Sequence, residues 1–191
     1  MAKTVGFALF INHTDRIFID ISKVRAMSKS RFIDQFELEN ISIDKMRCIY
    51  EYWLKIKGNK ELPSRDDINP ADITSVLRHI TLVRVEENGR YKLTLVGSEN
   101  AKVAEENVTG KYLDEIPLLH QYAKERYDWV VENKKPYIYQ GDLKWSEKEY
   151  LDYSIIGLPL SNDNEKVNGI MVAGFYYYQD DDESHDAIQN Y

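Results

Sequence analysis

The clearest periodic segment of the chain is residues 43–57, where apolar side chains recur at intervals of three and four residues. This spacing places the apolar side chains on one face of an α-helix. Ser42 is positioned to cap the start of this helix, and Gly58 is positioned to end it. The apolar stripe predicts either packing against the core or the seam of a homodimer, and it consists of Ile43, Met46, Tyr50, Trp53 and Leu54.

A turn-rich connector follows this helix at residues 62–70. Near its end, Asn69 can cap a helix, and Pro70 has the φ angle that suits the first helical position. We therefore predict a short helix over residues 70–77.

From His79 onward the apolar pattern shortens to a period of two, which is typical of β-strands. Asn88-Gly89 favours a tight hairpin between the first two strands, because both central residues of such a turn need positive φ. Two helices, residues 98–105 and 117–133, are predicted to precede the last three strands. The five predicted strands are residues 80–86, 91–97, 136–145, 150–160 and 167–178.

This order of elements predicts an α+β fold, with a five-stranded antiparallel sheet, helices over one face and an N-terminal helical extension. The space between the sheet and the helices is the usual place for a ligand in such a fold. The predicted organisation is an N-terminal extension that forms a hairpin or an arm (1–42), N-terminal helices and a connector (43–78), the core (79–178) and an acidic tail that is either solvated or bound to a partner (179–191).

Composition and charge exclude several classes of protein. The 191 residues are 43% hydrophobic and carry a net charge of −7, and Lys and Arg form no basic patch, so we expect no nucleic-acid binding. No apolar run approaches the ~18–20 residues of a membrane span, and the apolar residues 5–11 lack a signal-peptide cleavage site. We expect a cytoplasmic protein without a membrane span. The single cysteine, Cys48, excludes an intramolecular disulfide and a multi-cysteine zinc site.

The sequence contains no motif with catalytic spacing. It has no phosphate-binding loop, no zinc-protease helix, no nucleophile elbow and no EF-hand loop. The four histidines, His13, His79, His120 and His185, are far apart along the chain. We therefore predict no catalytic residue, no metal site and no cofactor, and we expect that the protein is not an enzyme.

Tyrosine is abundant, with 14 copies, and supplies the candidates for a ligand cavity. Tyr122, Tyr139 and Tyr153, together with Met171 from the last strand, are predicted to lie between the sheet and the helices. There a tyrosine hydroxyl can orient an unidentified small ligand. The alternative is that these side chains simply fill the core.

Four short segments carry recognisable local motifs. They are Tyr52-Trp53, the connector Leu62-Pro63-Ser64-Arg65-Asp66-Asp67-Ile68-Asn69-Pro70, the strand end Leu95-Val96-Gly97-Ser98 and the turn Asn107-Val108-Thr109-Gly110-Lys111. Together they resemble the motifs of a bacterial family of small, standalone PAS-domain proteins, over residues 44–178. The resemblance implies a PAS fold and a role in sensing or in protein–protein contact, and it implies no substrate.

The family-motif residues are expected to be structural rather than ligand-binding. Arg65 in particular is expected to tie the connector to the domain through Asp67 or a backbone carbonyl. The chain departs from the family pattern at Ser98, Asn107 and Lys111, which stand in place of Thr, Asp and Arg. The residues to which the resemblance assigns a structural role are Trp53, Pro63, Arg65, Asp67, Pro70, Gly97, Thr109 and Gly110.

We therefore expect a standalone PAS sensory or regulatory module that acts through contact with a partner protein and is gated by a small ligand. No kinase, cyclase or helix-turn-helix pattern follows the last strand. The alternative is a sensor or carrier whose ligand occupies the PAS cavity. Cys48 lacks the sequence context of a flavin photosensor, whereas His120, near the start of the long helix, leaves haem as a further alternative.

Overall fold

A computed structural model of the chain describes residues 30–104, 106–143 and 151–178. The predicted hairpin within residues 5–21, His13, His185 and the acidic tail lie outside the described residues. The described part contains one antiparallel sheet of six strands in the order β1-β4-β5-β6-β2-β3. The strands are β1 (Arg31–Ile33), β2 (Ile80–Val85), β3 (Tyr91–Val96), β4 (Tyr137–Asp142), β5 (Leu151–Leu160) and β6 (Gly169–Tyr178). Strands β2 to β6 are the five predicted strands, so the α+β prediction is confirmed.

Three α-helices accompany the sheet, α1 (Asp44–Lys57), α2 (Ser98–Ala104) and α3 (Pro117–Asn133). Helix α3 has the predicted bounds. Helix α1 ends as predicted at Gly58, whose φ is 52°. Its N-cap is Ile43, one residue after the predicted Ser42, and Ile43 makes no side-chain cap hydrogen bond. No α-helix among the described residues combines the length and the apolar character needed to cross a membrane.

The connector after α1 forms separate short 3-10 turns instead of the one short helix predicted over residues 70–77. The turns are Arg65–Asp67, Pro70–Ile73 and Leu77–His79. Asn69 does act as a cap, because its side chain accepts a hydrogen bond from the backbone N–H of Ala71. Ile73 and Val76 are both buried, and their three-residue spacing suits a chain that turns with a period of three.

The hairpin between β2 and β3 differs in detail from the predicted turn. Gly89 has φ of 79°, but Asn88 does not have positive φ. The N–H of Gly89 donates to the carbonyl of Glu86, and the N–H of Glu86 donates to Arg90. This is a four-residue turn closed by a left-handed glycine, a frequent form of β-hairpin.

Both faces of the sheet are covered, one by the helices α2 and α3, as predicted, and the other by the N-terminal helix α1. Side chains alternate along each strand, so Val172 and Gly174 of β6 face α2 and α3, whereas Met171 and Phe175 point to the other side. Helix α1 covers that other side, where the indole Nε1 of Trp53 donates to the carbonyl of Pro159 at 2.9 Å. The near-continuous apolar runs of β5 and β6 reflect this burial on two faces.

The apolar stripe of α1 packs within the chain. Met46, Ile49, Tyr52 and Trp53 are buried, while Leu54 is 39% exposed. Of the two alternatives for this stripe, packing against the core therefore describes the observed contacts.

Residues 30–42 belong to the folded unit and are not a free arm. Strand β1 pairs antiparallel with β4, with Phe32 opposite Tyr139. Ile41 is fully buried, and its carbonyl accepts hydrogen bonds from Nε and Nη2 of Arg47, at 2.9 and 2.5 Å. The sixth strand was not predicted because three residues are too few to show a period.

Candidate functional site

A small cavity lies between the sheet and the helices α2 and α3. Its volume is about 60 Å³, which is room for a few water molecules. The polar groups that line it come from both helices and from three strands. They are Thr81, Asn100, Arg126, Tyr127, Tyr153 and Tyr176.

A larger groove opens on the outer side of α3, towards β1 and β4. Its volume is about 360 Å³, and four of its seven lining side chains are aromatic: Phe32, Tyr122, Trp129 and Tyr139. The ring of Phe32 contacts Trp129 edge-on at 5.1 Å between centroids. Arg126 lines both the groove and the inner cavity, so its side chain separates the two spaces.

Arg126 is a buried charge without a counter-ion among the residues that the structure describes. The residue is only 8% exposed, and its Nε has no hydrogen-bond partner among the same residues. Within the described ranges, no ion pair includes Arg126. Its guanidinium carbon lies 4.2 Å from the centroid of the Tyr139 ring, a cation–π contact that compensates part of the lost hydration. Arginine remains protonated in proteins, so the site keeps a positive charge.

The tyrosines around Arg126 provide no negative charge. Burial raises the pKa of Tyr127 to about 12, although the nearby Arg126 charge acts in the opposite direction. Burial likewise raises the pKa of Tyr137 and of Tyr176 far above neutral pH. The hydroxyl of Tyr137 is fully buried beside the guanidinium, and its oxygen is placed to accept a hydrogen bond from Arg126. The Nε–H of Arg126 has no acceptor among the described residues, and the neutral tyrosines supply no charge to balance the guanidinium.

A hydrogen-bond network connects the cavity wall to the sheet face under α1. The hydroxyl of Tyr176 donates to Oδ1 of Asn100 at 3.1 Å. Nδ2 of Asn100 donates to the carbonyl of His79 at 2.8 Å and to Oγ1 of Thr81 at 2.9 Å. The ring of His79 then packs on Phe175 with centroids 5.0 Å apart. Asn100 thus bridges the cavity and the opposite face of the sheet.

His79 is held neutral in this network. Burial lowers the pKa of its imidazole, and the hydrogen bond to the Gly174 carbonyl only partly offsets this. Nε2 of His79 accepts from Nε of Arg78 at 3.3 Å. Nδ1 therefore carries the proton that it donates to the Gly174 carbonyl at 3.1 Å.

The predicted cavity residues lie in three different places. Tyr153 lines the inner cavity, and Tyr122 and Tyr139 line the outer groove. Met171 is fully buried, but it points to the opposite face of the sheet because it alternates with Val172, which lines the cavity. Its predicted place in the cavity does not fit this alternation. His120, the haem alternative, is half-buried and lines neither space.

Arg126 was not among the predicted cavity residues, although the helical spacing of α3 points to it. Ala123, Tyr127 and Val130 form the buried stripe of α3. Arg126 is three residues from Ala123 and four from Val130, so helical geometry places it on this stripe. A charged residue on an otherwise apolar stripe deserved to be selected as a candidate.

The motif residues at the start of the domain have structural roles. Trp53 joins α1 to β5, and the carbonyl of the buried Pro63 accepts from the N–H of Ser161 at 2.8 Å. Asp67 accepts from Nζ of Lys60 at 2.8 and 2.7 Å, which lowers its pKa. Arg65 is exposed. It was expected to bind Asp67, but the observed partner of Asp67 is Lys60. Pro70 occupies the first position of its 3-10 turn.

The glycine motifs also have backbone causes. A Cβ on Gly97 would collide with the backbone carbonyl oxygens of Arg78 and Ile80. Only glycine therefore lets the chain just after β3 approach the backbone of residues 78–80 so closely. Gly110 has φ of 86°. Beside it, the N–H of Thr109 donates to Oδ1 of Asn107 at 3.1 Å.

Comparison with known proteins places this architecture in a family. A family model described as a PAS domain matches residues 42–174, well over half of the chain. No curated protein and no solved structure matches the chain. The matched range covers α1, the connector, strands β2 to β5 and most of β6, with the helices between them. The chain therefore belongs to the PAS domain family.

Proposed function

We propose that the protein is a sensory module that couples occupancy of the space around Arg126 to contact with a partner protein. PAS domains are generally sensory rather than catalytic, which supports a regulatory role. The observation that carries the proposal is the buried guanidinium of Arg126, which has no counter-ion among the described residues.

The energetic cost of burying this charge favours a ligand. A buried charge that lacks its partner costs several kcal/mol, about 3–5 when one member of a buried pair is removed. A ligand with a complementary group would remove most of this cost. The inner cavity of about 60 Å³ is too small for most metabolites, but the groove of about 360 Å³ lies within the ~300–1,000 Å³ of small-molecule sites. The ligand body would therefore occupy the groove, with its head group at Arg126.

Two structural features can transmit occupancy to the surface. Strand β1 supplies Phe32 to the groove wall, and among the described strands its three residues pair with β4 alone. Such a short edge strand is easily displaced. The second feature is the network from Tyr176 through Asn100 to His79, which leads to the face covered by α1.

The proposal is tested by partner capture with and without small molecules. Full-length protein serves as bait in extract from which metabolites have been removed, and again after the metabolite fraction is returned. The variants Arg126→Met and Arg65→Met are compared, since Arg65 is an exposed arginine away from the groove.

We expect a partner whose capture by the wild-type protein and by Arg65→Met changes when metabolites are returned. Capture by Arg126→Met should not respond. Capture that ignores metabolites in all three proteins would overturn ligand gating. If native mass spectrometry shows a retained ligand but no partner responds, the protein is instead a carrier or sensor whose whole function is ligand binding.

A further inference from the structure

We infer that the ligand of this site is a small organic monocarboxylate with a flat apolar body. The inference rests on the proposed function and assigns the chemical class of the ligand. In this arrangement the carboxylate lies against Arg126, and the body lies in the aromatic groove between α3 and β1.

The head group follows from the guanidinium of Arg126, which lacks a charged partner among the described residues. Its Nε–H is buried and has no acceptor among the same residues. The hydroxyl of Tyr137 lies beside the guanidinium and interacts with it, but a neutral phenol cannot balance the charge. A guanidinium presents N–H groups in one plane and binds planar oxygen pairs in a bidentate manner. A carboxylate has the charge and the planar shape for this role.

The charge of the surroundings argues for a single negative charge. Among the described residues that line the cavity and the groove, Arg126 is the one cation, and Glu125 adds a carboxylate at the groove. A phosphate carries up to two charges and calls for additional cationic or backbone donors. It would also face repulsion from Glu125. The monocarboxylate therefore fits the lining better than a phosphate.

The apolar body follows from the walls of the groove. The ring of Phe32 stacks on Tyr137 with centroids 5.2 Å apart and planes at 16°. Trp129 approaches the same rings edge-on, and Phe32 is 41% exposed. Flat rings of this kind bind a planar apolar group through offset stacking and edge-to-face contacts. The groove thus favours an aryl carboxylate.

The alternative is that Arg126 only packs against the tyrosines and is satisfied by water in the cavity. This alternative predicts no preference for a charged ligand over a neutral one of the same shape. A comparison of isosteric ligands therefore separates the two explanations without any change to the protein.

The experiment measures the binding of phenylacetate, phenylacetamide, phenyl phosphate and inorganic phosphate to the full-length protein by calorimetry. We expect phenylacetate to bind roughly tenfold or more tightly than phenylacetamide, because the amide leaves the guanidinium without a charged partner. Arg126→Met should abolish this preference, and Arg65→Met should keep it.

Three results would overturn the inference. They are equal binding of phenylacetate and phenylacetamide, tighter binding of phenyl phosphate or inorganic phosphate than of phenylacetate, and no binding of phenylacetate. A neutral molecule retained in native mass spectrometry would refute the carboxylate assignment and leave the proposed sensory function intact. Carboxylate binding without any metabolite-dependent partner would support the carboxylate assignment and refute the proposed coupling to a partner protein.

Discussion

Replacing Arg126 with methionine should stabilise the ligand-free protein. Methionine has an unbranched side chain similar in length to the apolar part of arginine, and it lacks both the charge and the Nε–H. The site is already lined by aromatic rings, with Tyr139 directly against the guanidinium. The variant therefore keeps most of the packing and removes the buried charge.

The expected magnitude follows from two opposing contributions. Removal of a buried, uncompensated charge contributes about 3–5 kcal/mol of stability. Loss of the contact with the Tyr139 ring costs about 1–2 kcal/mol for a desolvated cation–π pair. The net gain in the free energy of unfolding is therefore about 1–4 kcal/mol. For a chain of this length, 1 kcal/mol corresponds to about 2–4 °C in Tm.

The assay is urea unfolding followed by tryptophan fluorescence and circular dichroism. The protein is first refolded from denaturant so that bound molecules are removed. Arg65→Met is the matched control, and its effect should stay within about 0.5 kcal/mol because the side chain is exposed. Saturating phenylacetate should then stabilise the wild type and leave Arg126→Met unchanged.

A loss of more than about 1 kcal/mol in Arg126→Met would refute this reasoning. It would mean that the native structure already satisfies the guanidinium, so that no free donor is left for a ligand. An unchanged m-value is needed for this comparison, because a changed m-value would indicate a different denatured state.

Three further predictions concern the framework of the fold. Gly97→Ala should destabilise the protein by more than about 2 kcal/mol, because the added Cβ would overlap backbone carbonyls. Gly169→Ala is the control and should change stability little, since its Cβ meets only ordinary contacts. Equal effects of the two variants in denaturant titrations would contradict the predicted clash at Gly97. Trp53→Phe should cost about 1–3 kcal/mol, because the buried carbonyl of Pro159 loses its donor, and a neutral result in thermal unfolding would show that water replaces the bond. Burial lowers the pKa of His79 below 6.5 in the folded state, so the unfolded state binds a proton first as pH falls. The contribution of neutral His79 to stability is therefore complete above pH 6.5 and is lost as pH falls towards the folded pKa. His79→Gln should flatten this part of the stability profile, and an identical profile in both proteins would rule out the assignment.

Local features of the sequence determined the helices and the five central strands. Helix α3 has its predicted bounds, and Pro117 occupies a first helical position, which proline suits. The glycines at positions 58 and 89 marked the end of α1 and the first hairpin, and both have positive φ. These signals act over a few residues, so they can be read without tertiary structure.

Tertiary structure decided which side each element covers. The apolar stripe of α1 showed that the helix packs on something, but two partners were compatible with it. The observed partner is the second face of β5 and β6, with Trp53 bonded to Pro159, 106 residues away in sequence. Strand β1 had no sequence signal, because its identity as a strand comes from pairing with β4.

The candidate site, like the fold, was determined partly by sequence and partly by tertiary structure. Sequence supplied the tyrosines, and their periodicity could not distinguish the inner cavity from the outer groove or from the core. Arg126, Phe32 and Tyr137 come from α3, β1 and β4, and only the folded chain brings them together. Whether a buried arginine has a counter-ion depends on every element packed around it. The sequence alone determined a PAS scaffold, and the unpaired charge at its centre is a property of the three-dimensional arrangement.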